Sequence, residues 1–247
     1  MKEKPVIFST PMVQALLNTK PGIRPAEAVD PDKPFKSMTR RVVKPQPEGK
    51  VLKTFSSYRY GFGSYGFVID GRLPHNIQYI KTKYEIGDIL WVREKWALSG
   101  SNCILYYADK AESVRNCIKW KPSIHMPREA ARLFLEVKSV RVERLQSISE
   151  KDAISEGILT DEQCGDIAGA IVPGWFCPVC NGTGLTIGAG ENLGAVEAEC
   201  SECETAEKRY RLLWDSINAE RGYSWESNPW VWAVGFGRVG MPLKSRG

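Results

Sequence analysis

Two Cys-x-x-Cys pairs, Cys177-Pro-Val-Cys180 and Cys200-Ser-Glu-Cys203, constrain this chain more than any other feature. Each pair presents two thiolates from one tight turn, and two such turns complete a tetrahedral zinc shell. Asn181-Gly182-Thr183-Gly184 follows the first pair. Its glycines let backbone amides turn toward the sulfurs without a Cβ in the way. Four thiolates leave no open coordination position, so a zinc ion held by Cys177, Cys180, Cys200 and Cys203 is structural and cannot activate water. The competing reading is two separate redox pairs. Cys103, Cys117 and Cys164 read as ordinary thiols. With two histidines in 247 residues, sites built on several histidines are excluded, and no Cys–His hydrolase pattern is present. Met1–Met12 has no signal-peptide core, and no run approaches the ~18 apolar residues of a membrane span. A cytoplasmic protein with reduced thiols is the expectation.

Charge is distributed unevenly. The net charge is +5, yet residues 149–207 carry one basic and twelve acidic side chains, net −11, and the remainder is +16. This split, with the cysteine spacing, divides the chain into a basic body (1–158 and 205–247) and an inserted acidic zinc module (159–204). Acidity argues against phosphate contact through the module. A folding staple, or a surface for a basic partner protein, fits it better.

Local patterns predict the elements of the body. Val6–Phe8 reads as a strand, and Pro11–Asn18 as a short helix capped by Thr10. Lys20–Pro34, rich in proline, reads as a loop, and Ser37–Val43 as a strand stopped by Pro45 and Pro47. Phe55–Phe67 interleaves six rings with three glycines and Arg59. It predicts either an aromatic hairpin packed on the body or a flap on which bases stack, with Arg59, Tyr60 and Phe62 at its tip. Ile89–Val92 and Leu105–Ala108 read as strands. Leu133–Val137 and Val140–Val142 alternate as two further antiparallel strands. Ser149 caps a helix over Glu150–Glu156, which Gly157 ends. Tyr210, Leu213, Trp214 and Ile217 mark an amphipathic helix over Thr205–Glu220, closed by Gly222. Trp230–Val239 reads as the last strand. The expected fold class is α+β, a small β-barrel with peripheral helices and the inserted module.

Lys36-Ser-Met-Thr39-Arg40-Arg41 is the densest polar constellation outside the cysteines. On a strand, Lys36 and Arg40 share one face, and Thr39 and Arg41 the other. The plain reading is a basic strand facing phosphate. Trp91-Val-Arg93-Glu94 ends an apolar strand with a charged edge.

These residues carry a resemblance. Pro34-x-Lys36-x-x-x-x-Arg41 resembles the G-x-K-x-x-x-x-R signature of ASCH domains, which have a PUA-like β-barrel; Pro34 stands in place of the glycine. Tyr84-Glu-Ile-Gly87-Asp88-Ile-Leu-Trp-Val92 and Ile148-Ser-Glu-Lys-Asp-Ala-Ile-Ser-Glu156-Gly fit the wider pattern. Ile7-Phe-Ser-Thr-Pro-Met and Lys36–Pro47 are especially similar to ASCH-like proteins of tailed phages and prophages. The first cysteine turn resembles the zinc knuckles of the DnaJ cysteine-rich domain. The ASCH resemblance covers most of 5–158 and 208–239 and leaves the zinc module out.

The resemblance implies binding of RNA or a modified nucleotide, in a phage-encoded case inside the host cytoplasm. One branch of the family is an amidohydrolase acting on N4-acetylcytidine, and other members of the fold are nucleases. Carried over residue by residue, Lys36 matches the branch's catalytic lysine, Thr39 its threonine and Glu156 its glutamate. Arg41 matches the signature arginine. A threonine hydroxyl needs an adjacent base, and a lysine serves if burial or nearby cations lower its pKa. Ligand contacts are expected from Arg40, Arg41, Arg59, Tyr60, Phe62 and Arg93. The alternatives are a binding module without catalysis, and a factor that engages a host protein through the acidic zinc module.

Overall fold

The computed structural model describes residues 2–17, 36–57, 64–70, 77–101, 103–158, 185–189, 195–202 and 204–242. Strand β1 (Glu3–Ile7) leads into helix α1 (Thr10–Leu17), and β2 (Met38–Val42) follows. Next come β3 (Val51–Ser57), β4 (Ser64–Ile69), β5 (Ile77–Lys81), β6 (Ile89–Arg93), β7 (Trp96–Leu98) and β8 (Ile104–Tyr106). A short helix α2 (Glu112–Arg115) precedes β9 (Phe134–Arg144) and α3 (Glu150–Ser155). The chain ends with β10 (Leu185–Ala189), β11 (Ala195–Glu199), α4 (Ala206–Asn218) and β12 (Trp230–Val239).

The described strands give an α+β protein with mixed and antiparallel sheets. Five form the main sheet in the order β1-β6-β9-β12-β2. β1 runs parallel to β6, and the other pairs are antiparallel. β3, β4 and β5 form a second antiparallel sheet, which contains the expected aromatic hairpin with Ser57 opposite Ser64. Its tip, with Arg59, Tyr60 and Phe62, lies outside the described residues. So does the proline-rich stretch up to Phe35.

Two of the apolar clusters tie the elements of this body together. One joins Val6, Phe8 and Val13 to Leu90, Leu135, Trp232 and Phe67. The other joins Leu145, Ile148, Ala153 and Ile158 to Ala206, Tyr210, Trp214 and Trp225. Among the described residues, this second cluster draws on the chain up to Ile158 and again from Ala206.

Three expectations are corrected. Thr10 is the first residue of α1 rather than its cap, because the Ser9 carbonyl already accepts Val13 N–H at 3.0 Å. Leu133–Val137 and Val140–Val142 belong to one strand, β9. The apolar alternation changes phase there because β12 pairs Phe236 with Val137 but Gly235 with Ser139, which leaves Lys138 as an extra residue. Finally, β8 stops at Tyr106, and a 3-10 turn over Tyr107–Asp109 follows.

Candidate functional site

Lys36 sits just before β2, opposite Glu156 at the end of α3, in an isolated antiparallel bridge. Ser37 N–H donates to Ser155 O at 2.8 Å and Phe236 N–H to Ser37 O at 2.9 Å, which fixes the lead-in strand. Gly157 takes φ +94°, and a Cβ there would lie 3.3 Å from Lys36 Cβ and 3.0 Å from Ala15 Cβ. Glycine therefore ends α3 and also leaves room for the lysine. Ser149 caps α3 by accepting Asp152 N–H, as its position predicts.

The Lys36 side chain is fully buried and that of Glu156 nearly so. Lys36 Nζ donates to Glu156 Oε2 at 2.8 Å and to the Glu156 carbonyl at 2.7 Å. Arg40 approaches the other carboxylate oxygen, with Nη1 at 3.4 Å from Oε1. Its Nη2 donates to Glu143 at 2.5 Å and to Asp152 at 2.7 Å. Arg141 adds a 2.6 Å bond to Asp152. Burial lowers the Lys36 pKa; Glu156 opposes that fall, and Arg41 and Arg40 add to it. Burial works against the Arg40 charge too, but Glu156, Tyr210, Glu143 and Asp152 outweigh it and raise its pKa. Lys36 and Arg40 thus share a face, as the strand pattern predicts, and both are directed at carboxylates.

Beside this network opens a cavity of about 630 Å³. Thr39, Arg40, Arg41 and Val42 form one wall, with Glu156 at its edge. Phe8 and Met12 come from the β1–α1 junction, and Trp232 from β12. Tyr210, Leu213, Trp214 and Ile217 of α4, followed by Arg221 and Tyr223, form the opposite wall. The Thr39 hydroxyl has no hydrogen-bond partner among the described residues, Lys36 included. Arg41 donates from Nη2 to Ile7 O at 2.8 Å and lies over the Phe8 ring at 5.3 Å. Lys44, Lys81, Lys83 and Arg221 are exposed residues that also line the cavity. None of these four is ion-paired among the described residues.

Arg93 stands apart. It ends β6 opposite Ile7, stacks on Trp91 at 4.7 Å, and is not among the cavity-lining residues. The α4 wall was missed as a site. Its i, i+3, i+4, i+7 spacing signals a packed face, and the same face borders the cavity.

Of the four zinc-module cysteines, only Cys200 is described, and it is buried. Between the two pairs lies an antiparallel hairpin, β10–β11, with Leu185 opposite Glu199. That register sets the residue before Cys200 against one five positions after Cys180. Cys177, Cys180 and Cys203 lie outside the described residues. Among the described residues no group of three or more metal-ligating side chains occurs, and no helix is long and apolar enough to cross a membrane. Comparison of the chain with family models, curated proteins and solved structures gives no match.

Proposed function

We propose that the cavity binds a nucleotide or a short RNA segment and hydrolyses an acyl-amide on its base, of the N4-acetylcytidine type. One observation carries the reading: an unpartnered threonine hydroxyl, Arg41 and the Glu156 of a buried Lys–Glu pair share one aromatic-walled, basic-rimmed cavity. The five-stranded sheet would then be the body of an ASCH-like barrel. The rings suit a base, and the exposed cations suit phosphate.

In the proposed reaction Thr39 Oγ is the nucleophile and Lys36 the base. A neutral lysine amine has two N–H bonds and one lone pair. Both N–H bonds are engaged by Glu156, so the lone pair is what Lys36 has left to offer. Lowering of the Lys36 pKa by burial favours that neutral form. As Thr39 Oγ bonds to the acyl carbon, its proton passes to Lys36 and the carbonyl electron pair moves onto oxygen. The carbon–nitrogen bond then breaks, and the proton goes to the departing base amine. Water cleaves the acyl-threonine ester, which releases the acid and restores the hydroxyl. Glu156 orients the lysine throughout.

Incubation with N4-acetylcytidine, followed by chromatography of free cytidine, tests this. Wild-type protein should release cytidine, and Thr39→Val should not. No release by wild type, or equal release by Thr39→Val, overturns the catalytic reading. A second reading, binding without turnover, is favoured by the complete burial of Lys36, whose side chain hydrogen-bonds among the described residues to Glu156 alone. It predicts affinity for RNA with no product.

We further propose that Cys177, Cys180, Cys200 and Cys203 hold one structural zinc ion, and that the acidic module around it is a folding staple. Metal analysis should give one zinc per chain, and Cys200→Ser should lose it. A partner protein docking on the module is the alternative, to be distinguished by deleting residues 160–204.

A further inference from the structure

Two of the cationic donors beside the cavity are already engaged. Lys36 donates to Glu156, and Arg40 to Glu143, Asp152 and Glu156. Tyr210 differs. It lines the cavity from α4 and is 3% exposed, and its hydroxyl has no hydrogen-bond partner among the described residues. Nor is that oxygen among the fully enclosed polar atoms that lack a partner. The phenol of this cavity-lining residue is thus neither bonded nor sealed in.

The ring is held firmly. It packs on Trp214 at 6.2 Å and Trp225 at 6.5 Å, and Arg40 lies over its face at 5.9 Å. The helix that carries it is pinned at its start. Glu150 accepts Ala206 N–H at 2.7 Å and Glu207 N–H at 3.3 Å, and Thr205 Oγ1 accepts Lys208 N–H at 3.2 Å. Burial, with the negative charge of Glu156, raises the Tyr210 pKa well above its ordinary value; Arg40 and Arg41 act the other way. The phenol therefore keeps its proton across the physiological range. It is a donor, and it shares the cavity with the Thr39 hydroxyl.

We infer that Tyr210 is a catalytic residue: its O–H donates to the carbonyl oxygen of the bound acyl group and stabilises the oxyanion formed when Thr39 adds. This inference rests on the reaction proposed above. A donor fixed before the reaction costs no reorganisation as charge develops, and its loss typically slows acyl transfer about 10²–10³-fold. No covalent role is assigned to it, and its proton stays on the phenol oxygen.

Tyr210→Phe removes one oxygen and keeps the ring. Wild type and variant are compared for melting temperature, and for kcat and KM with N4-acetylcytidine. The expected result is an unchanged melting temperature, a kcat about 10²–10³-fold lower and a KM altered little. Wild-type kcat in Tyr210→Phe overturns the role of Tyr210 and leaves the reaction standing. A loss confined to KM overturns the oxyanion role, since it marks binding alone. An inactive wild type overturns the reaction itself, and the inference with it.

Discussion

Among the described residues, Lys36 heads the fully buried side chains in size. An ammonium in that position is costly unless it is paired, and its carboxylate partner lies 120 residues away in sequence. Deleting Lys36 takes two hydrogen bonds from Glu156 and leaves its buried carboxylate only the 3.4 Å approach of Arg40. Lys36→Ala should therefore cost about 3–5 kcal/mol of unfolding free energy, read from urea denaturation. A loss below about 1 kcal/mol would show that the pair is not sealed from water as described. The lysine also makes stability depend on pH. Its folded-state pKa is lowered by burial, so between that value and the unfolded value near 10.4 the unfolded chain binds more protons. Stability should rise with pH through this window. Lys36→Met removes the group, so the advantage of wild type over that variant should grow as pH rises from 7 toward 10. A difference that shrinks instead would mean that Glu156 holds the lysine charged in the folded state.

At the scale of elements, the site depends on two helix starts. Ser149 caps α3, which delivers Glu156, and Thr205 caps α4, which delivers Tyr210. Replacing Thr205 by alanine should cost about 1 kcal/mol, because Lys208 N–H loses its acceptor. It should also weaken ligand binding in the cavity, measured by calorimetry with N4-acetylcytidine, since α4 forms a full wall. Unchanged affinity would show that α4 is held by its apolar contacts alone. Both helices, the Ser149 cap and the glycines after the helices were legible in the sequence, because such caps and the 3.6-residue apolar period are local signals; Thr205 reads there as the first helical residue, and the structure makes it the cap. What the helices face was not. The cavity assembles from Phe8, Thr39, Tyr210 and Trp232, which no periodicity connects. Only the family resemblance linked Lys36 to Glu156. β7 and β8, of three residues each, are too short to show alternation, and β9 concealed its continuity at Lys138.

For the whole molecule, charge separation is the main device. The acidic residues of 149–207 include Asp152 and Glu156, which neutralise the buried Arg40 and Lys36 and the exposed Arg141. What remains at the cavity mouth is an excess of positive side chains: Lys44, Lys81, Lys83 and Arg221. A net charge of +5 conceals this, since a ligand responds to the local field rather than to the sum. If phosphates dock at this rim, each neutralised phosphate releases counterions. The slope of log affinity against log salt is then about −0.7 per contact for single strands. Replacing Lys81 and Lys83 together by alanine removes two exposed charges, while β5 keeps its pairing with β4 and Thr82 Oγ1 still accepts Tyr84 N–H. For a short single-stranded RNA measured by fluorescence anisotropy, the slope should flatten by about 1.4, with little change in melting temperature. A slope identical to that of wild type would place the RNA elsewhere on the basic body. The cavity would then be left to a small uncharged ligand, recognised by Tyr210 and the surrounding rings.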